Sequence, residues 1–146
     1  MREDIKRALD RNKKANKLFS TFGFKKSYKE LENHLGESEE VFYLMNTNMK
    51  LCDPNTPPKK TFKIKGKTPA LFVITNKKVM AYYRDLLKEE IEQIPISQIQ
   101  GTEINRGKIS STVVRVQSLT KAIDFDLTGC NSEEINLLQE ALNKIV

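Results

Sequence analysis

The sequence predicts a mainly β domain: an antiparallel barrel or sandwich of about seven strands, capped by a C-terminal helix and preceded by an N-terminal helical extension. Three observations carry this. From Val41 onward, short β-branched and aromatic runs alternate with polar turns. The segment from Ser132 returns to helical spacing, with Ile135, Leu138, Leu142 and Ile145 on one stripe. A separate helical pattern occupies residues 2–19, ahead of the β texture.

In that first helix Ile5, Ala8, Leu9, Ala15, Leu18 and Phe19 recur at helical spacing, although Asn12 interrupts the stripe. Thr21, Phe22, Gly23 and Phe24 break it. A second short helix is expected over residues 27–35, with Ser27 as N-cap, Glu30 completing a capping box, and Gly36 as the stop. Residues 41–45 read as the first strand. Pro54, Pro57 and Pro58 mark the clearest loop, since proline is excluded from central strands. Phe62 and Ile64, alternating with lysines, suggest a short half-exposed strand. Further strands are expected over residues 70–75, 79–84, 89–94, 99–104, 109–118 and 122–127. Ile123, Phe125 and Leu127 alternate with Asp124 and Asp126, which implies one wet face on the last strand. Asn131 suits the N-cap of the final helix, with Glu134 at its third position. The expected division is residues 1–26 as a basic helical extension and residues 27–146 as the barrel domain.

The 146 residues suffice for one domain with its own core. No apolar run approaches the roughly 20 residues of a membrane span, and no leader-like stretch opens the chain, so a cytoplasmic location is expected. Cys52 and Cys130 lie far apart, which fits a reducing compartment. The net charge of +6 is uneven. Residues 1–29 hold ten Lys/Arg against three acids, and residues 30–49 hold five Glu with no Lys or Arg. Residues 50–67 hold six Lys against Asp53 alone. Such blocks attract polyanions, and they also occur on ordinary solvated faces.

Catalytic patterns are lacking. His34 is the only histidine, and with two distant cysteines it makes no zinc set. Gly66-Lys67-Thr68 copies the end of a phosphate-binding loop, but Thr61 stands where that loop needs glycine and a strand is expected to follow. The pairs Glu89/Glu90 and Asp124/Asp126 read as solvated strand faces. No catalytic residue, metal or cofactor is expected. Lys59, Lys60, Lys63, Lys65 and Lys67 form one candidate anion-binding cluster, the last three on one face by alternation. Lysines at such a place also protect an exposed edge strand, and the cluster lacks an arginine for bidentate phosphate contact.

Three motifs resemble the bacterial pleckstrin-homology-like (PH-like) domains of the YokE-like type. Leu71-Phe72-Val73-Ile74-Thr75-Asn76-Lys77 is similar to that family's apolar strand ending in Thr-Asn-Lys/Arg. Ile94-Pro95-Ile96-Ser97-Gln98-Ile99 is similar to its step into the fifth strand, and residues 31–43 to its helical and acidic lead-in. The resemblance covers residues 28–146 and implies a PH-like barrel, with Thr75, Asn76, Lys77 and Pro95 as structural motif positions. It departs from the family in the Pro- and Lys-rich insertion at residues 51–67. It also implies a non-enzymatic interaction or assembly module, with a protein partner or self-association. The alternative is weak peripheral binding to an anionic membrane surface or another polyanion, through the Lys-rich segment and the basic N-terminal helix. Nucleic acid is disfavoured, because few aromatics accompany the basic residues.

Overall fold

Strand β1 (Val41–Cys52) joins two halves of one sheet. It pairs antiparallel with β2 (Thr68–Thr75) from Val41↔Thr75 to Met49↔Thr68, and with β7 (Ala122–Asp126) from Asn48↔Asp126 to Cys52↔Ala122. β3 (Lys78–Arg84) and β4 (Glu89–Pro95) extend the β2 side, while β6 (Thr112–Gln117) and β5 (Gly101–Arg106) extend the other. The order is β4-β3-β2-β1-β7-β6-β5, antiparallel throughout. This is a computed structural model, and it describes residues 1–57, 66–106 and 112–146. The strand expected around Phe62 and Ile64, and the first residues of the one expected over 109–118, lie outside that set.

Alternation along each strand places Tyr43, Met45, Phe72, Ile74, Val79, Ile94, Val114, Val116, Ile123 and Phe125 on one buried face. Phe72 of β2 stacks on Phe125 of β7, with ring centroids 3.7 Å apart and planes 3° from parallel. The two halves are therefore folded face to face, which gives the mainly β sandwich that the sequence predicts, in an arrangement consistent with a PH-like sandwich. Helix α3 (Ser132–Ile145) covers this core with Ile135, Leu138, Ala141 and Leu142. Its start is fixed by a full capping box. The Asn131 side chain accepts from the Glu134 amide at 2.8 Å, and the Glu134 carboxylate accepts from the Asn131 amide at 2.9 Å.

A second apolar cluster lies on the other face of the sheet. Helix α1 (Glu3–Ala15) buries Ile5 and Ala8 there against Leu44, Leu71, Val73, Met80 and Tyr82, joined by Tyr28 and Leu31. The stripe that a lone helix would leave wet is thus covered by its own chain. Asn12 continues the buried side rather than interrupting it. Its amide donates to the Leu44 carbonyl at 2.6 Å, and Arg11 donates to the Phe42 carbonyl at 3.2 Å. Both carbonyls lie near the irregularity between Val41 and Tyr43, where the β1–β2 register shifts. Helix side chains there supply donors to the buried backbone.

Three local expectations are corrected. The first helix ends at Ala15, because Asn16 is extended, and Leu18 beyond it is exposed. Ser27 is not an N-cap. Helix α2 (Lys25–Glu30) starts two residues earlier, and Ser27 is buried inside it, donating to the Arg84 carbonyl and accepting from the Arg84 amide. The wet face expected on β7 is dry: Asp124 and Asp126 are 1% and 6% exposed. Asp124 takes a bidentate contact from the equally buried Arg115, Nε–Oδ1 2.7 Å and Nη2–Oδ2 3.1 Å. Arg115 also donates to the Thr56 carbonyl, so the segment after β1 folds over this face. Asp126 is held by Lys67 at 2.9 Å and by the Thr128 amide and hydroxyl. Buried carboxylates survive only when so partnered.

Candidate binding surface

Three connections leave the sandwich at one end. Antiparallel pairing puts the close of β1 beside the start of β2 and of β7 (Met49↔Thr68, Cys52↔Ala122), the close of β3 beside the start of β4 (Arg84↔Glu89), and the close of β6 beside the start of β7 (Gln117↔Ala122). Lys121 reaches Glu92 of β4 at 3.2 Å, which ties the β6–β7 turn to the β3–β4 hairpin across the opening.

The two described turns at this end share one construction. In Asp85-Leu86-Leu87-Lys88 the Asp85 carboxylate accepts from the Leu87 and Lys88 amides, both at 2.8 Å, and the Asp85 amide donates to the Lys88 carbonyl. In Ser118-Leu119-Thr120-Lys121 the Ser118 hydroxyl accepts from the Thr120 and Lys121 amides, and the Ser118 amide donates to the Lys121 carbonyl. Each first residue satisfies the turn locally, as Asp and Ser do. Nothing in either turn then calls for leucine at the tip. Yet Leu86, Leu87 and Leu119 stand 88%, 94% and 80% exposed.

The loop after α1 is fastened to the root of the β3–β4 turn. Phe24 packs edge-on against Tyr83, with centroids 6.2 Å apart, and Ser27 brackets the Arg84 backbone. Two residues before Phe24, Phe22 is 84% exposed, and Leu18 is exposed as well. Lys88, in the same turn as Leu86 and Leu87, and Lys25, next to Phe24 in sequence, are exposed. The acids alongside are engaged, Asp85 by its own turn and Glu90 by Lys88 at 3.3 Å. The expected strands could have revealed the tip: with strands at 79–84 and 89–94, residues 86 and 87 must crown the hairpin.

Among the lysines singled out by sequence, Lys67 is described and contacts Asp126, which draws it toward the sheet. Lys59, Lys60, Lys63 and Lys65 lie outside the described residues. The motif positions Thr75, Asn76, Lys77 and Pro95 gather away from this end. Buried Thr75 donates to Glu39 at 2.6 Å and accepts from the Lys77 and Lys78 amides, closing the β2–β3 turn. Asn76 clasps Glu40, side chain to amide at 2.8 Å and amide to carbonyl at 3.1 Å. Lys77 accepts from the Ile96 amide, and Pro95 pairs with Lys78. The Thr-Asn-Lys turn thus pins the acidic lead-in of β1 and the exit of β4.

His34 belongs to a seam that holds the 3-10 turn Leu31–His34 against β3 and β4. Its Nε2 lies 3.0 Å from Glu89, which also accepts from the Tyr82 hydroxyl at 2.7 Å, and these bonds hold the Glu89 carboxyl below its usual range. Burial and the neighbouring Asp124 carboxylate push the Cys52 thiol up, and burial pushes Cys130 up to about 12, so neither is poised as a thiolate. Gly66 turns at φ 75° toward β2, so Gly66-Lys67-Thr68 leads into a strand and lacks the helix of a phosphate loop. Among the described residues no three His, Cys, Asp or Glu side chains group as a metal site, and no helix is long and apolar enough to cross a membrane. Compared with known proteins, the chain matches no family model and no curated protein.

Proposed function

We propose that the chain is a non-enzymatic PH-like interaction module that docks by its loop-bearing end on an anionic surface. One observation supports this above the others. Leu86, Leu87 and Leu119 are held out by self-sufficient turns at the end from which the lysine-rich 50–67 connection departs. Exposed leucine is costly in water, and lysine beside it selects a surface that is apolar beneath a negative layer. Self-association, which the resemblance implies, gains no support from the N-terminal helix, because its Ile5 stripe is covered in cis.

Vesicle flotation tests the proposal. Binding to vesicles with anionic phospholipid is expected at low salt, with steep loss as salt rises, and none to zwitterionic vesicles. Each lysine near an anionic leaflet contributes about 1 kcal/mol. Replacing Lys59, Lys60, Lys63 and Lys65 together by Gln should therefore weaken binding by more than about a hundredfold. Lys67 is left in place because it partners buried Asp126. Equal binding by parent and variant rejects the cluster as the site. No binding by the parent rejects the reading.

A further inference from the structure

The β3–β4 turn, with Phe24 of the loop after α1 packed at its root and Lys88 over Tyr83, presents an apolar edge on the end proposed to meet an anionic surface. We infer that this edge enters the acyl layer of an anionic phospholipid bilayer, with Leu86 and Leu87 leading and Phe22 beside them. The inference rests on the proposed function and names its partner.

The geometry supplies each part that such a wedge needs. The turn is closed without help from the leucine side chains, since the Asp85 carboxylate holds the Leu87 and Lys88 amides. Leu86 and Leu87 contact solvent over 88% and 94% of their surface, so they lend little to the fold and are free to be buried elsewhere. Tyr83, at the root of the hairpin, packs against Phe24 and lies under the Lys88 ammonium, 5.6 Å from ring centroid to nitrogen. An aromatic and a cation one step behind an apolar tip suit the headgroup layer, where amphipathic side chains reside. Exposed Lys25 adds a positive charge next to Phe24 in sequence. A soluble polyanion has no use for the leucines. A bilayer does, because burying a leucine fully stabilises by about 1.5–3 kcal/mol.

The chain contains no tryptophan, so Leu87→Trp introduces a single reporter. With anionic vesicles its emission is expected to shift to the blue and to be quenched by lipids brominated in the acyl chain. Gln139→Trp, on the exposed side of α3, is expected to keep a water-like spectrum on the same vesicles. Leu86→Ser with Leu87→Ser should weaken vesicle binding by at least about tenfold while leaving the thermal midpoint and heparin binding unchanged. The insertion is refuted if the parent binds anionic vesicles but the double serine variant binds as well and the Leu87→Trp emission stays put. The anionic-surface reading then survives as a purely electrostatic one. If the parent binds no vesicle at all, both fall.

Discussion

The buried Arg115–Asp124 pair permits a quantitative test of how the β1–β7–β6 face is closed. Both residues are at most 2% exposed, and the guanidinium meets both carboxylate oxygens. Removing Arg115 as Arg115→Met would leave Asp124, among the described residues, with only the weak Cys52 thiol donor at 3.4 Å. Breaking a buried ion pair from one side costs about 3–5 kcal/mol, because the surviving charge stays desolvated. At roughly 2–4 °C per kcal/mol for a chain near this size, the midpoint should fall by about 6–20 °C. The double replacement Arg115→Met with Asp124→Leu removes both charges and should recover most of that loss, giving a coupling of several kcal/mol. Urea unfolding followed by circular dichroism measures all four proteins. Single variants within about 0.5 kcal/mol of the parent, or a double variant as poor as the two singles added, would refute the pairing. Either result would restore the solvated acidic face that simple alternation implies.

Other consequences follow from the two cores and the helix ends. Leu138→Ala, at a fully buried position, should cost about 2–5 kcal/mol, whereas exposed Gln139→Ala should barely move the midpoint. Ile5→Ala should destabilise by a similar amount, with the loss confined to one cooperative transition, if α1 belongs to the outer-face core; an unchanged urea midpoint refutes its cis docking. Burial opposes the charge on Asp4, but the Val41 amide, Arg2 and the Ile5 amide outweigh it and hold the carboxyl below its ordinary 3.8. A lowered folded value means that this stabilisation is complete above the unfolded pKa and is lost as pH falls through the folded one. Asp4→Asn should therefore destabilise at pH 7 and flatten the loss of stability below about pH 3.8 in acid titrations.

Local patterns in the sequence carry much of this architecture. The capping box at Asn131, the stripe of α3 and the apolar, β-branched runs of β2, β3 and β6 depend on neighbours a few residues away, so they are legible. β1 is longer than its apolar start suggests because its later polar residues find distant partners. Asn46 accepts from the Tyr28 hydroxyl and donates to the Ser20 carbonyl, and the Thr47 hydroxyl donates to the Ala70 carbonyl. Asp124, Asp126, Asn12 and Ser27 mislead for the same reason, since their burial depends on groups that folding brings from far along the chain. The binding surface is legible only in part. The lysine excess of residues 50–67 stands out in composition, whereas Leu86 and Leu87 gain meaning once two strands are paired and the tip between them is seen to be bare.

Hydrogen exchange on the parent protein, with and without vesicles of anionic phospholipid, tests the docking claim most directly. Protection is expected to concentrate in residues 17–25 and 85–88 and around Leu119, with the amides of α3 and the Thr75–Asn76 turn unchanged. Protection centred on α3 or the β2–β3 turn instead, or an exchange pattern unaltered by saturating anionic vesicles, would contradict it.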